Sequence, residues 1–232
     1  MSVAPPSPSL QSTLNVQKNM TPYLIIAALS YLLGSIPFGY LLVRIFKGED
    51  VRTSGSGNIG ATNVARKSPA LGAATLLLDA AKGLAAVLVA RVLFGGPDQQ
   101  LIMTTAAFFA VIGHLFPVWL RFRGGKGVAT SFGAFILLTP KSILCMVVLF
   151  LLIAVAFRYV SLGSVAMAAA FPLLAWAFHE YADSRQLILI AAVAALVIWR
   201  HRRNIGRLAD GTEAKFGAKA EAGSDESGAP GK

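Results

Sequence analysis

Residues 21–46 read TPYLIIAALSYLLGSIPFGYLLVRIF, a 26-residue stretch whose only charge is Arg44. A bilayer is crossed by about 20 consecutive apolar residues in a helix, so this run is long enough to span. It is not alone. The 232 residues are 55% hydrophobic and 14% charged, with a mean hydropathy of +0.63. Soluble domains carry about 25% charged residues, and one soluble core cannot hide this much apolar surface. The sequence therefore predicts an all-α integral membrane protein.

Six more apolar runs follow: residues 71–94, 101–120, 128–138, 142–157, 162–178 and 186–199. Seven transmembrane helices are the expectation. Residues 1–20 form a polar, Pro/Ser-rich extension expected to be disordered, and 21–200 the membrane domain. Residues 201–217 form a tail that contributes to the site, and 218–232 a small, polar, disordered end. The net charge of +10 would suggest nucleic acid in a soluble protein; here basic cytoplasmic loops account for it. Arg52, Arg66, Lys67, Arg121, Arg123, Lys126, Arg158 and the cluster Arg200, Arg202, Arg203, Arg207 alternate with poorly basic turns. That bias predicts the N-terminus outside and the C-terminus in the cytoplasm. Runs 128–138 and 186–199 are short for spanning, and a re-entrant course for either would move the tail to the other face.

The polar stretch Ser54-Gly55-Ser56-Gly57-Asn58-Ile59-Gly60-Ala61-Thr62-Asn63 interrupts this apolar background. Glycines before a helix start let backbone N–H groups converge on an anion, and Arg66 follows within reach. The expectation is a phosphate cradle. A second glycine-basic loop, Arg121 to Gly127, contains Gly125-Lys126 but not the spacing of a nucleotide-binding P-loop. Arg121 and Arg123 fit a topological role; Lys126, flanked by glycines, fits substrate contact. Asp79 and Lys82 lie three apart inside the second run. Intramembrane charges are costly and often functional, yet this pair can neutralise itself, and both accounts stay open. His114 fits interfacial packing. His201 and Asn204 sit in the basic tail, and Ser164 near the start of the sixth run fits a helix cap. No metal-ligand spacing and no nucleophile elbow occur. The lone Cys145 excludes an internal disulfide.

Taken together, the blocks Gly34-Ser35-Ile36-Pro37-Phe38-Gly39, Ser54 to Asn63 with Arg66, Gly113-His114 with Phe116-Pro117, Arg123-Gly124-Gly125-Lys126-Gly127, and His201 with Asn204, Arg207, Gly211, Glu213 and Lys215 resemble one family. It is the bacterial membrane glycerol-3-phosphate acyltransferases that use acyl phosphate, the PlsY type. The resemblance covers nearly all of residues 21–217. It implies acyl transfer from acyl phosphate to the 1-hydroxyl of glycerol 3-phosphate, giving lysophosphatidic acid and phosphate, the first acylation of phospholipid biosynthesis. It implies no cofactor and no metal, a bacterial inner-membrane location, membrane lipids around the chain, and the enzyme that makes acyl phosphate as a partner.

Carried over, the phosphate ligands fall on Ser56, Arg66, Lys126 and Ser164. The glycerol 3-phosphate contacts fall on Arg66, Lys126, His201 and Asn204, and Asn58, Thr62 and Asn63 shape the first loop. The other glycerol-phosphate acyltransferase type uses His-x-x-x-x-Asp, and no histidine here has an aspartate five residues on. Two rivals are a carrier for organic phosphates, which would favour internal repeats and a midplane site, and a binder of anionic lipids. The second explains the arginines but not Asn58, Thr62, Asn63 or Asn204.

Overall fold

The computed structural model describes residues 8–215. These fold into ten α-helices: α1 (Pro8–Gly34), α2 (Phe38–Lys47), α3 (Ala61–Lys67), α4 (Pro69–Leu93), α5 (Gln99–Leu115), α6 (Val128–Phe135), α7 (Pro140–Phe157), α8 (Val160–Ala177), α9 (Ser184–Arg200) and α10 (Arg202–Ala209). Single 3-10 turns occupy Val51–Thr53 and Val118–Leu120. No strand occurs among the described residues, as the sequence predicts.

The polar N-terminal stretch differs from expectation. Residues 8–20, read as disordered, continue α1 toward the N-terminus. Pro8 stands at the helix start, where a missing N–H costs nothing, and no glycine or proline follows until Pro22. The tail 218–232 lies outside the described residues.

Four segments are long and apolar enough to cross a membrane: Met20–Lys47, Gln99–Leu120, Pro140–Phe157 and Val160–Ala177. A fifth is α9 taken together with α10, bent by 54° where they meet. The other two apolar runs form α4 and α6. The 25 residues of α4 include Asp79 and Lys82, both buried. The eight residues of α6 reach only about 12 Å at 1.5 Å per residue, well short of a bilayer core. Thr139 and Pro140 end that run and start α7.

Apolar side chains point outward along the bundle: Leu24, Val92, Leu152, Val155, Leu173 and Ile188 are all more than half exposed. On α7 only Ser142, Ile143 and Met146 are buried. Such continuous apolar exposure fits a lipid surrounding. The inner faces of α4, α5, α6, α8 and α9 meet in a core of Val87, Val111, Leu115, Phe135, Phe171, Ile190, Val193 and Val197.

Close helix approach depends on small residues, since lipid supplies little hydrophobic drive between helices. A Cβ on Gly34 of α1 would lie 2.1 Å from the Ala110 carbonyl oxygen, and one on Gly113 of α5 would lie 2.2 Å from that of Tyr31. Gly83 of α4 and Gly133 of α6 touch the partner backbone in the same way.

The first apolar run is broken between Gly34 and Phe38. Pro37 has no N–H to continue the helix ladder, and α2 runs on from there until Gly48, at φ +68°, ends it. A small second core of Val43, Val51, Ile59, Val64 and Leu120 then forms beneath the glycine loop. Leu120 comes from the approach to the second glycine loop. The two loops therefore share one foundation.

Candidate active site

Asn63 organises the first loop. Its side-chain Nδ2 donates to the carbonyls of Val51 (3.1 Å), Ser54 (3.1 Å) and Asn58 (2.9 Å). Its Oδ1 accepts from the Ser56 N–H at 2.9 Å. Asn58 Oδ1 accepts the Gly60 N–H at 2.8 Å. Asn63 and Asn58 thus hold the loop, while Ser56, Thr62 and Arg66 are exposed at its surface. Gly55, at φ +58°, makes room for this arrangement. A Cβ there would lie 2.3 Å from Asn63 Oδ1 and 3.3 Å from an Arg66 guanidinium nitrogen.

The second loop is clamped from two sides. Arg200 donates to the carbonyls of Gly124 (2.6 Å) and Gly125 (2.9 Å), with its guanidinium 5.7 Å from the Phe116 ring centre. The Gly124 and Gly125 N–H groups donate to the carbonyls of Leu115 and His114. Lys126 emerges half-buried from this clamp. Burial pushes its pKa down to about 8; Glu213 opposes the fall, and Arg207, Arg66 and Arg200 deepen it. Those same charges mark the convergence: Arg66, beside the first glycine loop, and three residues from the C-terminal segment act on the ammonium of the second loop.

The C-terminal segment is tied by a carboxylate. Glu213 accepts from Ser161 Oγ, Asn204 Nδ2 and Arg207 Nε, each at 2.6 Å. Partial burial works to raise its pKa, but these hydrogen bonds outweigh that and hold it below the usual carboxylate value. Glu213 belongs to the motif blocks, yet nothing in the sequence reading gave it a role. A carboxylate following a run of arginines was the available signal.

His201 is 2% exposed at the junction of α9 and α10. Its Nδ1 lies 2.8 Å from the Val197 carbonyl. A carbonyl only accepts, so Nδ1 carries the hydrogen and Nε2 is left as an acceptor. Burial lowers its pKa to about 4 despite that hydrogen bond. The ring is neutral at physiological pH and suited to accept a hydrogen bond from a hydroxyl.

Ser164 stands apart from the other expected ligands. It is buried, and its hydroxyl donates to the Val160 carbonyl at 2.8 Å within α8. Ser161, one turn earlier, is the α8 hydroxyl that reaches the cluster. Asn204 is buried with its amide committed to Glu213. The structure thus brings Arg66, Lys126 and Arg207 together, seats His201 and Asn204 beside them, and leaves Ser164 in its own helix.

This arrangement of glycine loops and basic tail has close relatives. The profile described as glycerol-3-phosphate acyltransferase matches residues 24–211. The chain belongs to that family. It is 48% identical over 199 residues to the glycerol-3-phosphate acyltransferase of Nitrobacter winogradskyi, covering 85% of this chain and 97% of that one. It is 47% identical over 198 residues to that of Rhodopseudomonas palustris, with the same coverages. Among solved structures it is similar to PlsY (YgiH), an integral membrane glycerol 3-phosphate acyltransferase, in its glycerol 3-phosphate form. The TM-score is 0.77 and the identity 38%, over 84% of this chain and 96% of that one. The lysophosphatidic acid form gives 0.75 and 36%, over 84% and 95%. As a member of this acyltransferase family, the chain is an integral membrane protein of phospholipid synthesis.

Proposed function

We propose that the protein transfers a fatty acyl group from acyl phosphate to the 1-hydroxyl of glycerol 3-phosphate, releasing lysophosphatidic acid and inorganic phosphate. The supporting observation is the cationic cluster of Arg66, Lys126, Arg200 and Arg207, opposed by one carboxylate, Glu213. Two anionic substrates repel each other, and clustered cations bring them together. The family's glycerol 3-phosphate and lysophosphatidic acid structures name one substrate and the product of such a transfer in a relative.

In this reading Ser56, Arg66 and Lys126 hold the donor phosphate, and Arg66, Lys126, His201 and Asn204 hold glycerol 3-phosphate. The glycerol oxygen bonds to the acyl carbon, the acyl–phosphate C–O bond breaks, and phosphate leaves. The hydroxyl proton passes to a phosphate oxygen. His201, at about 4, is a weaker base than a phosphate monoester dianion, whose conjugate acid has a pKa of about 6. His201 therefore orients the hydroxyl through Nε2 rather than removing its proton. Asn58, Thr62 and Asn63 keep the first loop in shape, and Ser164 requires a rotamer change to donate to phosphate.

The proposal includes the site and the C-terminus on the cytoplasmic side of a bacterial inner membrane, and donor supply by the enzyme that makes acyl phosphate. The deciding assay gives purified protein glycerol 3-phosphate with palmitoyl phosphate, or with palmitoyl-coenzyme A. Phosphate release and lysophosphatidic acid with the first donor alone support it. Transfer from the thioester but not the phosphate overturns the donor assignment.

A further inference from the structure

Asp79, Lys82 and His114 lie outside the cluster described above, and each is at most 4% exposed. Lys82 Nζ and Asp79 Oδ1 are 2.8 Å apart on one face of α4. A self-neutralising pair needs no further partner, but this one makes a hydrogen bond to the α1–α2 break and a contact with α5. Lys82 Nζ donates to the Ile36 carbonyl at 2.7 Å, in the break between α1 and α2, and lies 5.7 Å from the Phe38 ring centre. Asp79 Oδ1 faces His114 Nδ1 of α5 at 3.5 Å. Replacing a buried ion pair by apolar groups is often neutral or stabilising, so stability alone is a poor account of such a row. Its geometry supplies a better one.

One end of the row abuts the second glycine loop, and the other connects to the first through α2. At one end the His114 ring packs on the backbone of Gly125, where a Cβ would lie 2.0 Å from Nε2, and the next residue is Lys126. At the other end, Ile36 leads into α2. There Gly39 presses on the carbonyl of Ile59 in the first loop, where a Cβ would lie 1.9 Å from that oxygen.

We propose that Asp79, Lys82 and His114 are positioning residues: a buried bridge that fixes the first glycine loop relative to the second, and hence Arg66 relative to Lys126. The bridge rests on the acyl-transfer reading only for its consequence in catalysis. Its structural content stands independently of that reading. The three residues touch no substrate. Misplacement of catalytic cations by about 1 Å costs up to about a hundredfold in rate, so a loosened bridge lowers turnover without removing any ligand.

The test uses full-length protein with Cys145→Ser, spin labels at the exposed positions Thr53 and Arg123, and pulsed dipolar distance measurement. His114→Ala is one perturbation. Asp79→Asn with Lys82→Met is the other, removing both charges together so that none is left buried alone. Each is expected to broaden or shift a narrow wild-type distance distribution. Each is also expected to lower kcat/KM for glycerol 3-phosphate by about tenfold or more, with His114→Asn recovering part of both. An unchanged distribution in either folded variant overturns the bridge, whatever the activity. A changed distribution in a protein that transfers no acyl group even as wild type supports the bridge and sinks the acyl-transfer reading instead.

Discussion

Lys126 gives the sharpest test of the cationic cluster, because its charge is lost within an accessible pH range. An ordinary lysine titrates near 10.4; this one is pushed down to about 8 by burial and by Arg207, Arg66 and Arg200. The sign is fixed: Lys126 is charged below that value and neutral above it. A phosphate monoester is a dianion throughout this range, with its second pKa at about 6, and His201, at about 4, is already neutral. Only Lys126 changes charge among the groups placed on substrate. The expected kcat/KM for glycerol 3-phosphate is level near pH 7. It falls to about one-tenth of its plateau at pH 9 and about one-hundredth at pH 10, because kcat/KM follows the free enzyme's titration. Direct quantification of lysophosphatidic acid avoids counting spontaneous donor hydrolysis. Lys126→Arg keeps its charge across the range; its plateau should be lower, and the alkaline fall should vanish. Glu213→Gln removes the charge that supports the ammonium and should move the break to lower pH. A wild-type profile level through pH 9.5, or the same break in Lys126→Arg, refutes the assignment.

Asn63→Asp puts an acceptor-only carboxylate against the carbonyls of Val51, Ser54 and Asn58. At about 1–3 kcal/mol for a buried unsatisfied group, kcat/KM should fall roughly tenfold to a hundredfold with the helical circular dichroism unchanged. Gly34→Ala forces a methyl to within 2.1 Å of the Ala110 carbonyl oxygen. It should cost about 1–3 kcal/mol, the usual penalty of overpacking, and lower the melting temperature in detergent. Gly95→Ala, where a Cβ meets nothing within 4 Å, should leave melting unchanged. A reporter that is active only in the cytoplasm should be active when fused after residue 232; an inactive fusion on membrane-inserted protein would reverse the proposed orientation.

The helices were legible because their signal is local. Runs such as 142–157 are apolar on every side, and α7 buries only Ser142, Ile143 and Met146 of them. The break at Gly34–Pro37 was visible as residues that disfavour helix, but its partner Lys82 is 46 positions away. No periodicity encodes that pairing. The site was legible as residue types and not as roles. Whether Asn63 touches substrate or holds the loop depends on where three carbonyls point, which becomes fixed only after Gly55 and Gly57 take left-handed conformations. Ser164 fits a helix cap by its place near a helix start and a phosphate ligand only by the family resemblance, and its hydroxyl donates to the carbonyl of Val160 one turn before it. The length of α1 was hidden because the polar residues 9–21 lack the apolar pattern of a span while containing nothing that breaks a helix.

Glu213 carries a consequence for the order in which the protein is made. Ser161, Asn204 and Arg207 all turn toward a residue synthesised after every helix of the bundle. A nascent chain that has emerged only as far as Arg207 already possesses both glycine loops, while its Asn204 amide and Arg207 guanidinium still lack their shared acceptor. The arrangement of Ser161, Asn204 and Arg207 is therefore complete only once the segment that follows α10 supplies this single carboxylate.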